Sequence, residues 1–231
     1  MGRAQLQDFF QTAPGLLLHR WEASLMDAVM PQLTGETALQ VGAPYAKALR
    51  SANHAVRVAA SADAAELAVS RYADNVVAIP EALPFEAEAF DLVVLLHCLE
   101  FSEHKDKVLE EALRVLKPEG RLLVTSINPW GPWMLARKDF AGCDCKPLAA
   151  VELRQKLKDL VAFDKGAFGV YCPSVKDDPA ALMHWKWTEK AGERWWPQLA
   201  NAYVVSGTKK VVALTPVGRA DKVLKVAGAC A

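Results

Sequence analysis

The amino-acid sequence predicts an α/β fold in which a mostly parallel sheet is covered by helices on both faces. Short runs rich in branched apolar residues alternate with segments of helical periodicity, the order expected of a parallel sheet. Apart from Asp91, the run Phe90–Leu96 is apolar throughout, as a central strand must be when helices cover both of its faces. Apolar residues make up 52% of the 231 residues and charged residues 23%, so the chain can bury a large core.

The first half of the chain gives the clearest succession of elements. A helix is predicted over 6–32, because apolar residues recur at helical spacing as far as Pro31. Between the strands, helical periodicity marks the helices, and the Pro/Gly sequence at 117–120 ends the last of them. Strands are predicted at 38–41, 55–60, 75–79, 90–96 and 121–127, and helices at 45–52, 62–72 and 105–116.

Beyond Asn128 the pattern is less regular. The predicted elements there are a helix at 149–160, a strand at 167–172 and a strand or hairpin at 203–214. An irregular Trp-rich insertion is expected at about 173–200. Because neither a repeat nor a linker composition interrupts the chain, we expect a single domain over residues 1–231.

Charge and cysteine content exclude several classes of protein. The 27 basic and 27 acidic residues give a formal charge of zero, which disfavours a nucleic-acid partner. No apolar run approaches the roughly 20 residues that cross a bilayer, and the N-terminus lacks the apolar core of a signal peptide. The five cysteines are scattered and odd in number, so we expect reduced thiols in the cytoplasm. Cys143 and Cys145 are the one close pair, and no second cluster completes a metal site.

Three segments resemble the class I S-adenosylmethionine (SAM)-dependent methyltransferases. They are Leu83–Phe85, Phe90–Val94 and Leu109–Leu122, within a region of similarity at roughly 37–128. The group they are most similar to includes the ubiquinone- and biotin-pathway enzymes. The resemblance implies a doubly wound sheet of seven strands whose last strand runs antiparallel, a part that residues 203–214 would supply. It also implies methyl transfer from SAM to a small or medium-sized acceptor, with the ligand beyond the carboxyl ends of the strands.

The resemblance also implies which residues face SAM. They are Gln40, Gly42, Ser61, Ile79, Leu83 and His97. At three of these positions the family has an acidic residue and this chain has Gln40, Ser61 or Ile79. SAM is the cofactor that the resemblance implies; because a hydrogen bond to a charged group contributes about 1.5–3 kcal/mol, weak or absent SAM binding is the alternative. The alternative function is therefore a non-catalytic relative that acts as a binding or regulatory module.

Other candidate residues leave two interpretations open. His97 follows the fourth strand and is either a pocket residue, even a general base, or a hydrogen-bonded histidine at the sheet edge. Glu100, on the same loop, is expected to cap a turn or to be solvated. No catalytic residue is assigned, because methyl transfer depends mainly on positioning an already activated donor.

Tryptophans near the expected acceptor site have two interpretations as well. Asn128, Trp130 and Trp133 either contact the acceptor or form a packed loop. The later group either closes over a pocket or makes a satellite core or partner surface, and a homodimer is compatible with the second reading. That group comprises Trp185, Trp187, Trp195 and Trp196.

Overall fold

A computed structural model describes residues 8–43, 48–62, 67, 74–135, 145–173 and 177–211 of this chain. Its centre is one sheet of seven strands in the order β3-β2-β1-β4-β5-β7-β6. The strands are β1 (Thr37–Val41), β2 (Val56–Ser61), β3 (Asp74–Val77), β4 (Phe90–Leu96), β5 (Leu116–Ile127), β6 (Val161–Gly169) and β7 (Ala202–Lys209). Strands β1 to β5 run parallel, and β7 is antiparallel to both β5 and β6. The predicted seven-stranded, doubly wound sheet with an antiparallel last strand is confirmed.

The helices are α1 (Ala13–Val29), α2 (Lys105–Val115), α3 (Pro132–Leu135), α4 (Ala150–Leu157), α5 (Pro179–His184) and α6 (Lys186–Trp195). Helix α1 packs on one face of this sheet, and α2 and α4 pack on the other. Short 3₁₀ turns occupy Met30–Gln32, Ala48–Ser51 and Pro197–Leu199. Among the described residues, no helix is long and apolar enough to cross a membrane.

The alternation of side chains along β4 divides the core into two layers. Val93 and Leu95 point to one face, where α2 and α4 supply Leu109 and Leu153. Leu92, Val94 and Leu96 point to the other face, where they pack with Met26 of α1. Both layers exclude water from β4, which explains why its sequence is apolar on both sides.

Several boundaries differ from the prediction. The helix expected over 6–32 is broken at Thr12, whose side chain accepts a hydrogen bond from the Gly15 amide and begins α1 there. Strand β5 begins at Leu116 rather than 121, because Leu116 already pairs with Phe90 ahead of a shift in register.

The second half of the chain is more regular than predicted. Strand β6 begins at Val161 rather than 167, because a register shift between Phe163 and Lys165 hides the alternation of its side chains. The insertion at about 173–200 contains two helices, α5 and α6. Of the helix predicted at 45–52, the described part forms the short 3₁₀ turn Ala48–Ser51, and residues 45–47 lie outside the described residues. Nearly all of the helix predicted at 62–72, and residues 212–214 of the predicted last strand, lie outside them as well.

Candidate functional site

The carboxyl ends of β1, β2 and β4 meet at one edge of the sheet, which we call the cofactor edge. Val41 at the end of β1 pairs with Ala60 on one side and with Leu95 on the other. In a doubly wound sheet this is the place where the strand order reverses and where ligands bind. The structure therefore brings Gln40, Gly42, Ser61 and His97 to one edge, as the sequence predicted.

Gly42 is required by the close approach of two strands. Its φ of 76° lies in the left-handed region, and a Cβ there would stand 2.5 Å from the carbonyl oxygen of Leu96. Its own N–H donates to the Ala60 carbonyl at 2.9 Å. The glycine thus lets the chain turn tightly between β2 and β4, whether or not a ligand approaches it.

Gln40 holds the loop that follows β1. Its side chain is fully buried, and its amide nitrogen donates to the carbonyls of Gly42 at 3.3 Å and of Ala43 at 3.1 Å. Its amide oxygen accepts the N–H of Ala48 at 3.0 Å. These bonds require both a donor and an acceptor at this position, which an amide supplies and a carboxylate does not.

Two further residues predicted to face SAM, Ser61 and Ile79, differ in how far they are exposed. Ser61 is buried at the end of β2, and its carbonyl accepts the N–H of Ala78. Ile79, beyond the end of β3, is 54% exposed.

Leu83 is buried, and both of its backbone groups are engaged by helix α2. Its N–H donates to the Glu111 carboxylate at 3.1 Å and its carbonyl accepts from Arg114 at 3.0 Å. The bond from Arg114 is the leading cause that lowers the pKa of Glu111. Glu111 and Arg114 therefore hold the loop after β3 in place.

A buried cluster of three ionisable side chains lies directly behind the cofactor edge. His97 Nε2 is 2.7 Å from a Glu22 oxygen, and His97 Nδ1 is 2.9 Å from a Glu100 oxygen. The three side chains are between 0% and 3% exposed. The same Glu100 oxygen accepts the N–H of Ile127 at 2.7 Å, so the cluster joins α1, the β4 end and the β5 end.

The charge state of His97 follows from these contacts. Carboxylate oxygens are acceptors, so a histidine that bonds to one through each nitrogen carries both protons. Burial alone would lower the pKa of His97, but the charges of Glu22 and Glu100 raise it to about 10. The cluster is therefore an imidazolium between two carboxylates, with one net negative charge.

The prediction that Glu100 caps a turn or is solvated is wrong, because its carboxylate is buried against His97 and Ile127. Sequence reasoning also missed Glu22. One signal was available: Glu22 stands four residues after Leu18 and four before Met26, and all three lie on the buried face of α1. A carboxylate at such a position needs a buried partner.

The loop after β5 is packed by its own polar side chain. Asn128 donates to the carbonyls of Gln198 and Ala200, each at 2.8 Å, and ties this loop to the start of β7. Trp133 is fully buried beside Phe9, whereas Trp130 is 61% exposed. Of the three residues considered as acceptor contacts, Trp130 is thus the one that presents its ring to solvent.

A separate groove of ≈ 380 Å³ lies away from the cofactor edge, between α1 and the middle of β5, β7 and β6. Leu25, Leu123 and Val204 line it. Among the described residues no group of three His, Cys, Asp or Glu side chains has an arrangement that could hold a metal ion. Cys143, of the close cysteine pair, lies outside that part of the chain.

The residues at the cofactor edge fit SAM only in part. The strand ends and the turn at Gly42 provide the backbone shape, and Ser61 provides a hydroxyl at the end of β2. The polar atoms of Gln40 are used within its own loop, and Ile79 brings no polar group. The described part of the edge therefore offers shape and neutral groups, without the acidic anchors that the resemblance implies.

Comparisons with known proteins agree with this architecture. Residues 39–124 match the family model of a methyltransferase domain. The ubiquinone/menaquinone biosynthesis C-methyltransferase of Hydrogenovibrio crunogenus is 32% identical over 107 residues, which are 46% of this chain and 39% of that protein. The chain spans about half or less of the length of the first curated relatives that it matches.

Two solved structures show the same fold. One is a chain from the complex between the Haloferax volcanii Trm112 methyltransferase activator and a methyltransferase, with a TM-score of 0.66, 16% identity and coverage of 91% of this chain and 98% of that one. The other is the geranyl diphosphate C-methyltransferase of Streptomyces coelicolor, solved with S-adenosyl-L-homocysteine (SAH), with a TM-score of 0.58, 15% identity and coverage of 83% and 79%.

Proposed function

We propose that this chain, which carries a methyltransferase domain on the class I methyltransferase fold, transfers a methyl group from SAM to a small or medium-sized acceptor. The observation that supports this most strongly is the coincidence of the matched region, 39–124, with strands β1 to β5 and the cofactor edge that they form. SAM would supply a methyl group already activated on a sulfonium, so that the protein's contribution is binding, orientation and exclusion of water.

In this proposal the six residues named from the sequence have different roles. Gly42 and Leu83 shape the backbone around the cofactor, and Ser61 at the end of β2 lies near the ribose. Ile79 presents an apolar surface to the adenine. Gln40 and His97 are positioning residues, because each is buried and bonded within the protein.

The acceptor would enter beside Trp130, beyond the carboxyl end of β5. Its indole is exposed and large enough to stack on a flat or apolar acceptor.

A thermal-shift measurement with SAM and with SAH tests this proposal. A ligand at ten times its dissociation constant stabilises the fold by about 1.4 kcal/mol, which is about 3–6 °C in Tm for a chain of this size. We expect both compounds to raise Tm at millimolar concentration, and adenosine alone to raise it less. An unchanged Tm with both at millimolar concentration contradicts the proposal.

A matched pair of variants tests where the adenine lies. Ile79 and Val77 are both exposed, 54% and 60%, so an aspartate is tolerated at either position. Ile79→Asp adds an acceptor where the resemblance places one for the adenine amine, so SAM affinity should rise about tenfold or more. Val77→Asp, a charge of the same sign on β3, should leave it within twofold. Equal affinities in the two variants would show that Ile79 does not face the adenine.

The second candidate function is a non-catalytic binding or regulatory module. It is favoured by the bonding of Gln40, whose amide is used to close its own loop rather than turned toward a ligand. This candidate predicts no thermal shift with SAM or SAH, and the measurement above therefore separates the two functions.

A further inference from the structure

We propose that the exposed side of α5 and α6 docks this protein on an anionic lipid bilayer. The surface, which we call the Trp–Lys face, consists of Met183, Lys186, Trp187, Lys190, Arg194 and Trp195. The proposal concerns a surface that the methyl-transfer proposal does not use, and it does not depend on SAM binding.

The first observation is the exposure of large apolar side chains on two short helices, α5 and α6. Met183, Trp187 and Trp195 are 69%, 59% and 71% exposed. Trp196 and Leu199, which follow the helix, are also exposed. Indole rings favour the boundary between water and lipid, because one part of the ring is apolar and the N–H remains hydrated.

The second observation is the row of basic side chains beside these rings. Lys186, Lys190 and Arg194 follow one another at intervals of four residues, so they lie on one side of α6. Trp187 lies on the same side, three residues before Lys190. The Arg194 guanidinium also lies over the Trp195 ring, 5.9 Å from its centre.

This row carries a local positive charge on a chain whose formal charge is zero. On α6 itself the exposed acidic residue is Glu193, since Glu189 turns inward to accept the N–H groups of Tyr171 and Cys172. Asp177 and Asp178 at the start of α5 are also exposed, and they accept the N–H groups of Ala13 and Ala180. On α6, three basic groups against one exposed acidic group, beside exposed tryptophans, match the negative surface of an anionic bilayer.

The inner side of α6 is fixed to the protein body. Gly192 lies so close to Tyr171 that a Cβ would stand 2.2 Å from the ring, and Thr188 is buried beside it. The outer side therefore presents the Trp–Lys face without any unfolding. After α6 the chain passes through the 3₁₀ turn Pro197–Leu199 and enters β7. The first residue of β7, Ala202, pairs with Ile127 at the end of β5.

Docking would consequently bring the acceptor side of the sheet close to the bilayer surface. The carbonyls of Gln198 and Ala200 are bonded to Asn128, so the segment that leaves α6 is tied to the loop that bears Trp130. An apolar acceptor dissolved in the lipid would then lie close to that loop.

Co-sedimentation of the full chain, without SAM, with phosphatidylcholine vesicles that contain or lack phosphatidylglycerol tests the proposal. We expect binding to the anionic vesicles that weakens as salt is added, and little binding to the neutral vesicles. Each basic residue near such a surface contributes about fivefold to the partition coefficient, so K190E/R194E should lower it about 25-fold or more. W187S/W195S should lower it at least tenfold.

The matched controls are exposed residues on other helices. Val151→Ser on α4 removes an exposed apolar side chain, and Lys107→Glu on α2 reverses an exposed charge. Both should bind vesicles within twofold of the parent chain, and circular dichroism should show that all four variants are folded.

The proposal would be overturned by no binding to anionic vesicles, by equal binding of the Trp–Lys face variants and their controls, or by equal binding to anionic and neutral vesicles at low salt. A vesicle-free dimer that W187S/W195S dissociates would assign the face to a second copy of the chain and would also overturn it. Failure here leaves the thermal shift with SAM unaffected, so the two proposals fail separately.

Discussion

The buried His97 cluster should make the stability of the protein depend on pH between neutrality and about 10. The Glu22 and Glu100 carboxylates raise the pKa of His97 to about 10 against the effect of burial, whereas an unfolded histidine has its ordinary value of 6.5. Because the folded state binds this proton more tightly, the contribution is complete below about pH 6.5 and is lost as the pH rises toward 10.

The size of the effect follows from the same two values. The difference of about 3.5 in pKa, at 1.36 kcal/mol for each pKa unit, corresponds to a stabilisation on the order of 5 kcal/mol. His97→Asn tests it, because asparagine tolerates the positive φ of 47° at this position. Two carboxylates that lose their buried cation should cost about 3–5 kcal/mol near pH 6.5.

Urea unfolding followed by circular dichroism at about pH 6.5, 8 and 9.5 measures this. The difference in free energy of unfolding between the parent chain and His97→Asn should shrink by several kcal/mol over this range. Glu22→Gln, which keeps a hydrogen-bonding side chain, should cost about 1.5–3 kcal/mol, and the exposed Glu110→Gln on α2 should cost less than about 0.5 kcal/mol. A difference between parent and His97→Asn that stays constant with pH would refute the reasoning.

Three further substitutions have definite expected results in the same unfolding assay. Gln40→Glu, although it introduces the acidic residue that the resemblance implies, places a carboxylate against two carbonyls and should cost about 2–4 kcal/mol; a stable variant would show that the amide is not needed. Gly42→Ala should cost at least about 2 kcal/mol, because its Cβ would strike the Leu96 carbonyl at a positive φ; an unchanged urea midpoint would contradict this. Asp91→Asn should destabilise the protein at neutral pH, and this difference should fade as the pH drops from about 4 toward 2. The pKa of Asp91, which burial alone would raise, is lowered to about 2 chiefly by Lys117, so a difference independent of pH would exclude that contact.

Much of the fold could be predicted because its signals are local. Strand β4 and helix α2 lie where the apolar run and the helical periodicity predicted them. In each element the order of apolar and polar residues along the chain matches the pattern of buried and exposed side chains. Strand β6 was misplaced because its register shift at Phe163 to Lys165 breaks the alternation on which the prediction rests.

The candidate site was predictable in position but less so in its interactions. The topology alone brings Gly42 and His97 to one edge. The partnership of His97 with Glu22 joins residues 75 positions apart, and nothing in a local pattern pairs them. Likewise the bonds of the Gln40 amide depend on where the Ala43 carbonyl and the Ala48 N–H lie, which residue types do not reveal.

The central claim is that SAM binds at the cofactor edge although neutral residues stand there in place of the acidic ones that the resemblance implies. Isothermal titration of the purified protein with SAM tests this claim most directly. We predict a single site with a dissociation constant between high micromolar and millimolar, because two or three charged hydrogen bonds of about 1.5–3 kcal/mol each are missing. Absence of binding at millimolar SAM would contradict the claim that the edge holds this cofactor, and low-micromolar binding would contradict the claim that the neutral residues weaken it.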